Sequence, residues 1–437
     1  MNETIGVTTA VKFNAKTSNA HIIQHEIGPR NDSTNNENSQ NECENSSVPS
    51  SLQVYCHMFM LCISILTYCS DLVFAALIAY FYFTQGRVTF FVLTIVFIAV
   101  PILTTTAFSM RWYLIDEDNY QVARPSIIRW IIRIILLLLQ MVQILRYGET
   151  IFYNIKFLVL RKTNNNEKQQ HVYRKMLDEY CNSALLRLFH CFLHAAPQAV
   201  LHLLLLFQHL WTTEKTAKLG RTLIILQCVG CLNWIISIAW GLTAYYRAVR
   251  VVREDKENLT CCNTFILFLW NLLSIASRLL ALSILASVIP PWFGAVCVLH
   301  WFVMASWLAF GHVQTTVCTN RCEELILSAM LGYAYITAFI ATRDGPTRYS
   351  YLVYYLVCLM ENTGALVVWC VENSSATNPR LYYGAVGAQL STFFLGLLFM
   401  LLYYTKLHPS SSTVSLKHCS DYAVDDDALN KPSFSKN

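Results

Sequence analysis

ALLRLFHCFLHAAPQAVLHLLLLFQHLW, residues 184–211, decides the fold. An apolar run of about 20 residues matches the ~30 Å hydrocarbon core of a bilayer when it is helical. This one carries Arg187, His190, His194 and Gln198 inside it. A formal charge at bilayer depth costs roughly 2.5–3.5 kcal/mol on insertion scales, so such residues face a bundle interior or a wet path and find partners there. Pro197 lacks a backbone donor and is expected to kink the helix near mid-membrane. The carbonyl it frees, with Gln198, either lines a hydrophilic track or is satisfied by a neighbouring helix. His190 and His194 are four apart and share a helix face, but the run lacks the Glu of a zincin and further ligands, so no metal is expected.

The same pattern recurs along the chain. Tyr55–Phe83, Leu223–Tyr246 and Leu381–Tyr404 are further long apolar runs, and the 437 residues are 55% hydrophobic and only 14% charged, with a net charge of +5. Ten hydrophobic segments stand out, at roughly 54–83, 88–110, 126–160, 183–211, 221–246, 263–289, 292–311, 323–341, 350–371 and 381–404. The third carries Arg129, Arg133, Gln140, Gln143 and Arg146, and the eighth is short and opens with Glu323 and Glu324. Both read as half-inserted helices packed against protein. The expected fold is therefore an all-α polytopic membrane protein with about eight spanning helices. Residues 1–53, rich in Asn, Ser and Glu, read as a disordered N-terminal tail, 54–404 as the membrane domain and 405–437 as a disordered C-terminal tail. No signal-peptide pattern precedes the first run, which is expected to act as its own insertion signal.

Basic residues cluster in two stretches read as loops, Arg161–Cys181 and Arg247–Asn258. If both half-inserted segments dip and return, these loops and both termini fall on the cytoplasmic side, as the positive-inside rule asks. An outside N-terminus with a spanning third segment satisfies the loops equally. The first arrangement puts the sequon at Asn373 outside.

The two half-inserted segments hold the same place in consecutive sets of five, which suggests a five-plus-five internal repeat. Asp71 and Arg278 then sit just past the middle of the first segment of each half, and are expected to pair, directly or through a neighbour. Glu361 is a fourth membrane charge. Most of the 16 cysteines read as small buried hydrophobes. Cys261 and Cys262, at a loop-to-helix junction, are candidates for palmitoylation. Cys318 and Cys322 lack the two further ligands that zinc needs. No phosphate-cradling Gly-rich loop with Lys-Ser/Thr is present, so ATP-driven transport has no visible engine, and no cofactor or nucleic-acid partner is expected.

Several ordered stretches share a further property. Ser70-Asp71-Leu72-Val73, the Phe108–Asp116 run with its S-x-R-W-Y pattern, the Leu186–Leu201 run, Trp270-Asn271 with Ala276-Ser277-Arg278, His300-Trp301, and the Gly345–Tyr349 run followed by Tyr354-Tyr355 and Glu361-Asn362 resemble the XK-related membrane protein family. That family includes the Kell-complex protein and apoptotic phospholipid scramblases. The resemblance implies a non-enzymatic plasma-membrane protein that moves phospholipids between leaflets and exposes phosphatidylserine. Asp71, Arg187, His194, Gln198, Arg278 and Glu361 would then form either a head-group path or a structural clasp. It departs from the family at His194 and His202, where members commonly carry Glu and Gln. The resemblance also implies caspase cleavage in a tail, here after Asp425 or Asp427, although an ordinary acidic solvated tail fits the same residues. The alternative function is a non-scrambling companion of a single-span partner subunit, and a small-solute transporter is a third.

Overall fold

The computed structural model describes residues 51–119, 131, 134–135, 141–163, 166–211, 221–252, 259–310, 321–340, 348–372 and 379–407. Helices account for nearly all of them, and no strand occurs among the described residues. In chain order they are α1 (Ser51–Thr84), α2 (Val88–Asn119), α3 (Val142–Lys162), α4 (Asn166–His190), a π turn (Cys191–Ala195), α5 (Ala196–Trp211), α6 (Arg221–Val252), α7 (Cys261–Val288), α8 (Pro290–Phe310), α9 (Arg321–Tyr335), α10 (Arg348–Glu372) and α11 (Pro379–Leu402), the last extended by a π turn at Tyr403–Leu407. Lipid offers no partner to a backbone amide, so each crossing segment must satisfy its own.

Among the described residues eight helices are long and apolar enough to cross a membrane, α4, the π turn and α5 counting as one, and the chain is a multi-pass membrane protein. The two left out are α3 and α9, which come from the third and eighth sequence segments. At ~1.5 Å per residue the 15 residues of α9 reach only about 22 Å, short of a ~30 Å core. Its chain then leaves the helix, and Ala338, Phe339 and Ile340 stay buried within the protein. Non-helical backbone at such depth is tolerated only under cover of this kind. Gly332 brings α9 close against α8, because a Cβ there would lie 2.9 Å from the Ala305 backbone nitrogen. Gly86, at φ 69°, makes the tight turn between α1 and α2.

The α4–α5 pillar is the most enclosed of the spans, with 67% of its apolar window buried, against 17% for α8 and 17% for the α11 span. It packs against α6 and α2, and α7 closes on α5, α6, α10 and α11. The main core runs from Ala75 and Ile78 through Trp234 and Ile238 to Leu279 and Tyr354. Leu66 and Val73 on α1, and Val298 and Phe302 on α8, lie exposed on the outer surface, as expected of residues facing lipid.

One sequence expectation changes here. The basic stretch from Arg161 to Cys181 is not a loop: α4 begins at Asn166 and is helical throughout. Phe157 of α3 packs with Val172 and Met176 of α4, so an apolar seam extends the helix past the hydrophobic run. Arg247, also assigned to a loop, sits inside α6 and is buried.

Candidate functional site

The membrane charges resolve into two clusters. In the first, Arg187 on α4 pairs with Asp71 on α1 at 2.9 Å. Asp71 also accepts from Asn233 at 2.8 Å and from Ser237 at 2.5 Å, both on α6. Arg187 donates in addition to Thr67, at 3.2 Å, and to Ser237. Ser70 steadies Asn233 by donating to its side-chain oxygen at 2.8 Å. Asp71 is wholly buried and Arg187 all but so, which makes this a dry three-helix clasp. His190 stands 3.8 Å from the same carboxylate, its ring 4.7 Å from that of Tyr68 and 4.7 Å from that of His194.

From Arg187 the polar groups continue along one face of the pillar. His194, Gln198 and His202 recur four apart, a stripe about 22 Å long from Arg187 at ~1.5 Å per residue. All three are buried. Pro197 cannot supply an amide, and the helix meets it with the π turn, in which the Ala196 N–H reaches the Cys191 carbonyl. A second proline explains His194. Pro101 in α2 leaves the Phe97 carbonyl without its helical donor, and His194 Nδ1 lies 2.8 Å from that oxygen. A carbonyl only accepts, so Nδ1 carries the proton. Gln198 donates to the Thr94 carbonyl at 3.1 Å, which leaves its Oε1 to accept from His202 Nε2, also at 3.1 Å. His202 Nδ1 then accepts from the Tyr82 hydroxyl at 3.0 Å, and Tyr82 accepts from Gln227 at 2.7 Å. The chain therefore runs in one direction, Gln227 to Tyr82 to His202 to Gln198 to Thr94, with His202 as the tautomer that carries its proton on Nε2.

The second cluster joins α7, α8, α10 and the end of α9. Arg278 pairs with Glu361 and donates to Asn362 at 3.0 Å. Its Nε donates at 2.8 Å to the Ile336 carbonyl just past the end of α9. The last carbonyls of a helix lack internal partners and carry partial negative charge, which suits a buried cation. His300 meets Glu361 at 2.7 Å through Nδ1 and the Tyr335 carbonyl at 3.2 Å through Nε2. Tyr246 and Tyr335 cap the carbonyls of Phe339 and Ile340, each at 2.8 Å. This cluster is not sealed. The Glu361 side chain is 30% exposed, and Arg278 lines two small adjoining clefts. Cys297, His300, Ile336 and Glu361 line the first; Asn271, Ser274, Tyr354 and Asn362 line the second.

Asp71 and Arg278 do not pair. Their partners lie within their own halves of the chain, because the fourth segment of each half carries a charge opposite to that of the first. Both pairs therefore join first to fourth segment, with signs exchanged. Contact between halves runs instead through α6 against α7 and α5 against α7.

A protein-family model for XK-related proteins matches residues 59–409. The chain belongs to the XK-related family. Relatives include the cell death abnormality protein 8 of Caenorhabditis elegans, 27% identical over 82% of this chain and 79% of that one, and its Caenorhabditis briggsae counterpart, 26% identical over 82% and 78%. Within this XK-related protein, the serine of the S-x-R-W-Y stretch acquires a structural reason. Ser109 accepts from Arg146 Nε at 2.9 Å through its hydroxyl and from Arg146 Nη2 at 3.1 Å through its carbonyl, while Arg146 pairs with Glu179 at 3.0 Å.

That third ion pair was missed, as were Asn233, Ser237 and His300. Glu179 lies outside the apolar run, and the others are ordinary helix residues until a neighbour is known. Cys261 and Cys262 are exposed at the start of α7. Among the described residues no cluster of three or more metal-ligating side chains occurs. Asn373, Asp425 and Asp427 lie outside the described residues.

Proposed function

We propose that this XK-related protein moves phospholipids between the leaflets of the plasma membrane without ATP coupling, exposing phosphatidylserine, with the Arg278–Glu361–His300 cluster handling head groups. The observation that carries this is the contrast between the clusters. Asp71–Arg187 is sealed and has the chemistry of a clasp. Glu361 is partly exposed beside cavities that share Arg278 with it, so a zwitterionic or anionic head group would meet paired charges of both signs. The relatives named for cell death support an apoptotic setting, and cleavage after Asp425 or Asp427 is the proposed trigger. Eight crossings would bring both ends of the membrane domain to one side, and the basic Arg161–Cys181 stretch supports the cytosol as that side.

The test is labelled-lipid exchange in liposomes containing the purified chain, full length and truncated near Asp425. Exchange by the truncated form, slowed at least several-fold by Glu361→Gln or Arg278→Met, is expected. Exchange indifferent to both substitutions would remove the head-group role. No exchange by either form would leave the companion reading, in which a single-span partner docks on the bundle.

A further inference from the structure

Where α1, α6 and α7 meet at one end of the bundle, two sulfur atoms from opposite halves of the chain face each other. Cys56 Sγ on α1 lies 3.7 Å from Cys261 Sγ, the first residue of α7. Thr260 caps that helix by accepting from the Asn263 amide at 3.3 Å, which fixes where Cys261 points away from α7. Cys261 is exposed and Cys56 half-buried. Behind Cys56 stands Arg247 of α6, which is buried and has no carboxylate at ion-pair distance among the described residues. Its Nη2 points at Cys56 Sγ, 3.6 Å away, its Nη1 donates to Thr264 at 3.2 Å, and its Nε has no partner among the described residues. Its guanidinium thus divides between the Thr264 hydroxyl and the Cys56 sulfur, and sets a positive charge beside that sulfur.

We propose that Cys56 and Cys261 form a peroxide-responsive dithiol that closes to a disulfide between the first helices of the two halves. In a reducing compartment the pair rests as thiols. The exposed Cys261 sulfur, as thiolate, attacks one oxygen of hydrogen peroxide. The O–O bond breaks, hydroxide leaves, and Cys261 becomes a sulfenic acid. Cys56 sulfur then attacks Cys261 sulfur; the S–O bond breaks and water leaves with the proton from the Cys56 thiol. Two thiols are oxidised by two electrons and one peroxide becomes two waters. Arg247 stabilises the negative charge on Cys56 sulfur as it attacks. A disulfide needs about 2.05 Å between sulfurs, so the pair must close by about 1.7 Å, within reach of side-chain rotation at the helix ends. Cys262 is exposed as well, but no sulfur–sulfur contact like that of Cys56 and Cys261 is made by it among the described residues. The bond would tie α1 to α7 past the end of α6, which otherwise lies between them.

The experiment treats full-length protein in membranes with hydrogen peroxide, blocks free thiols with a maleimide, and maps peptides by mass spectrometry with and without dithiothreitol. A dithiothreitol-sensitive link between Cys56 and Cys261 is expected, with two fewer maleimide adducts per chain. Cys262→Ser should keep the link, and Cys56→Ser or Cys261→Ser should abolish it and leave the other thiol reactive. Equal labelling of Cys56 and Cys261 before and after peroxide would overturn the proposal. So would a hydroxylamine-sensitive acyl chain occupying Cys261 in most molecules.

Discussion

Asp71 is wholly buried and holds three donors, of which only Arg187 is charged. Removing one partner of a buried ion pair typically costs ~3–5 kcal/mol, because the other charge is left uncompensated. Arg187→Met strands the carboxylate among Asn233 and Ser237. Asp71→Asn strands the guanidinium, whose Nε and Nη1 already lack partners among the described residues. Independent effects would sum to roughly 6–10 kcal/mol in the double variant. A clasp predicts otherwise: with both charges gone nothing is left uncompensated, and the double variant should be no worse than either single one. The coupling should then be about 3 kcal/mol or more. Thermal unfolding of detergent-solubilised protein, followed by size-exclusion fluorescence, reads this out. At roughly 2–4 °C per kcal/mol, and less for a long chain, each single substitution should lower Tm by about 5–15 °C. Effects that add to within about 0.5 kcal/mol would refute the clasp.

Further outcomes follow from the same contacts. His194→Phe should cost about 1–3 kcal/mol by orphaning the Phe97 carbonyl, and adding Pro101→Ala, which restores the helical amide to that carbonyl, should recover most of the lost Tm. Gly332→Val should cost about 1–3 kcal/mol or prevent folding, since the new side chain meets α8 backbone at Ala305; surface expression and size-exclusion profile check it. Glu361→Gln should destabilise less than Asp71→Asn, because the Glu361 side chain is 30% exposed and water replaces part of what is lost. If Asn373 faces outward, glycosidase treatment should sharpen the band of protein from cells, and Asn373→Gln should remove the effect.

The membrane fold was legible because hydropathy reports directly what lipid demands of a backbone. The third and eighth segments gave themselves away through Arg146 and through Glu323 and Glu324. Partner choice was harder. Asp71 and Arg278 occupy matching places, and matching places invited a pairing across the centre. Which helix lies beside α1, however, depends on packing that a single sequence does not encode in its charges. His194 illustrates the same limit from the other side. Its role depends on Pro101, 93 positions earlier in the numbering, and on two helices meeting at one level. The Ile336 carbonyl that holds Arg278 left no trace in side-chain identity at all, since it belongs to the backbone.

The exchanged signs of the two clusters bear on how the chain is made. Asp71 and Arg187 both emerge from the ribosome before α7 does, whereas Arg278 is part of α7 and Glu361 comes later still. Each half is thus electrically self-contained as it enters the bilayer, and neither must wait with an uncompensated charge in lipid for the other to arrive. The halves should accordingly insert as separate polypeptides, cut between α6 and α7, and find each other afterwards within the membrane.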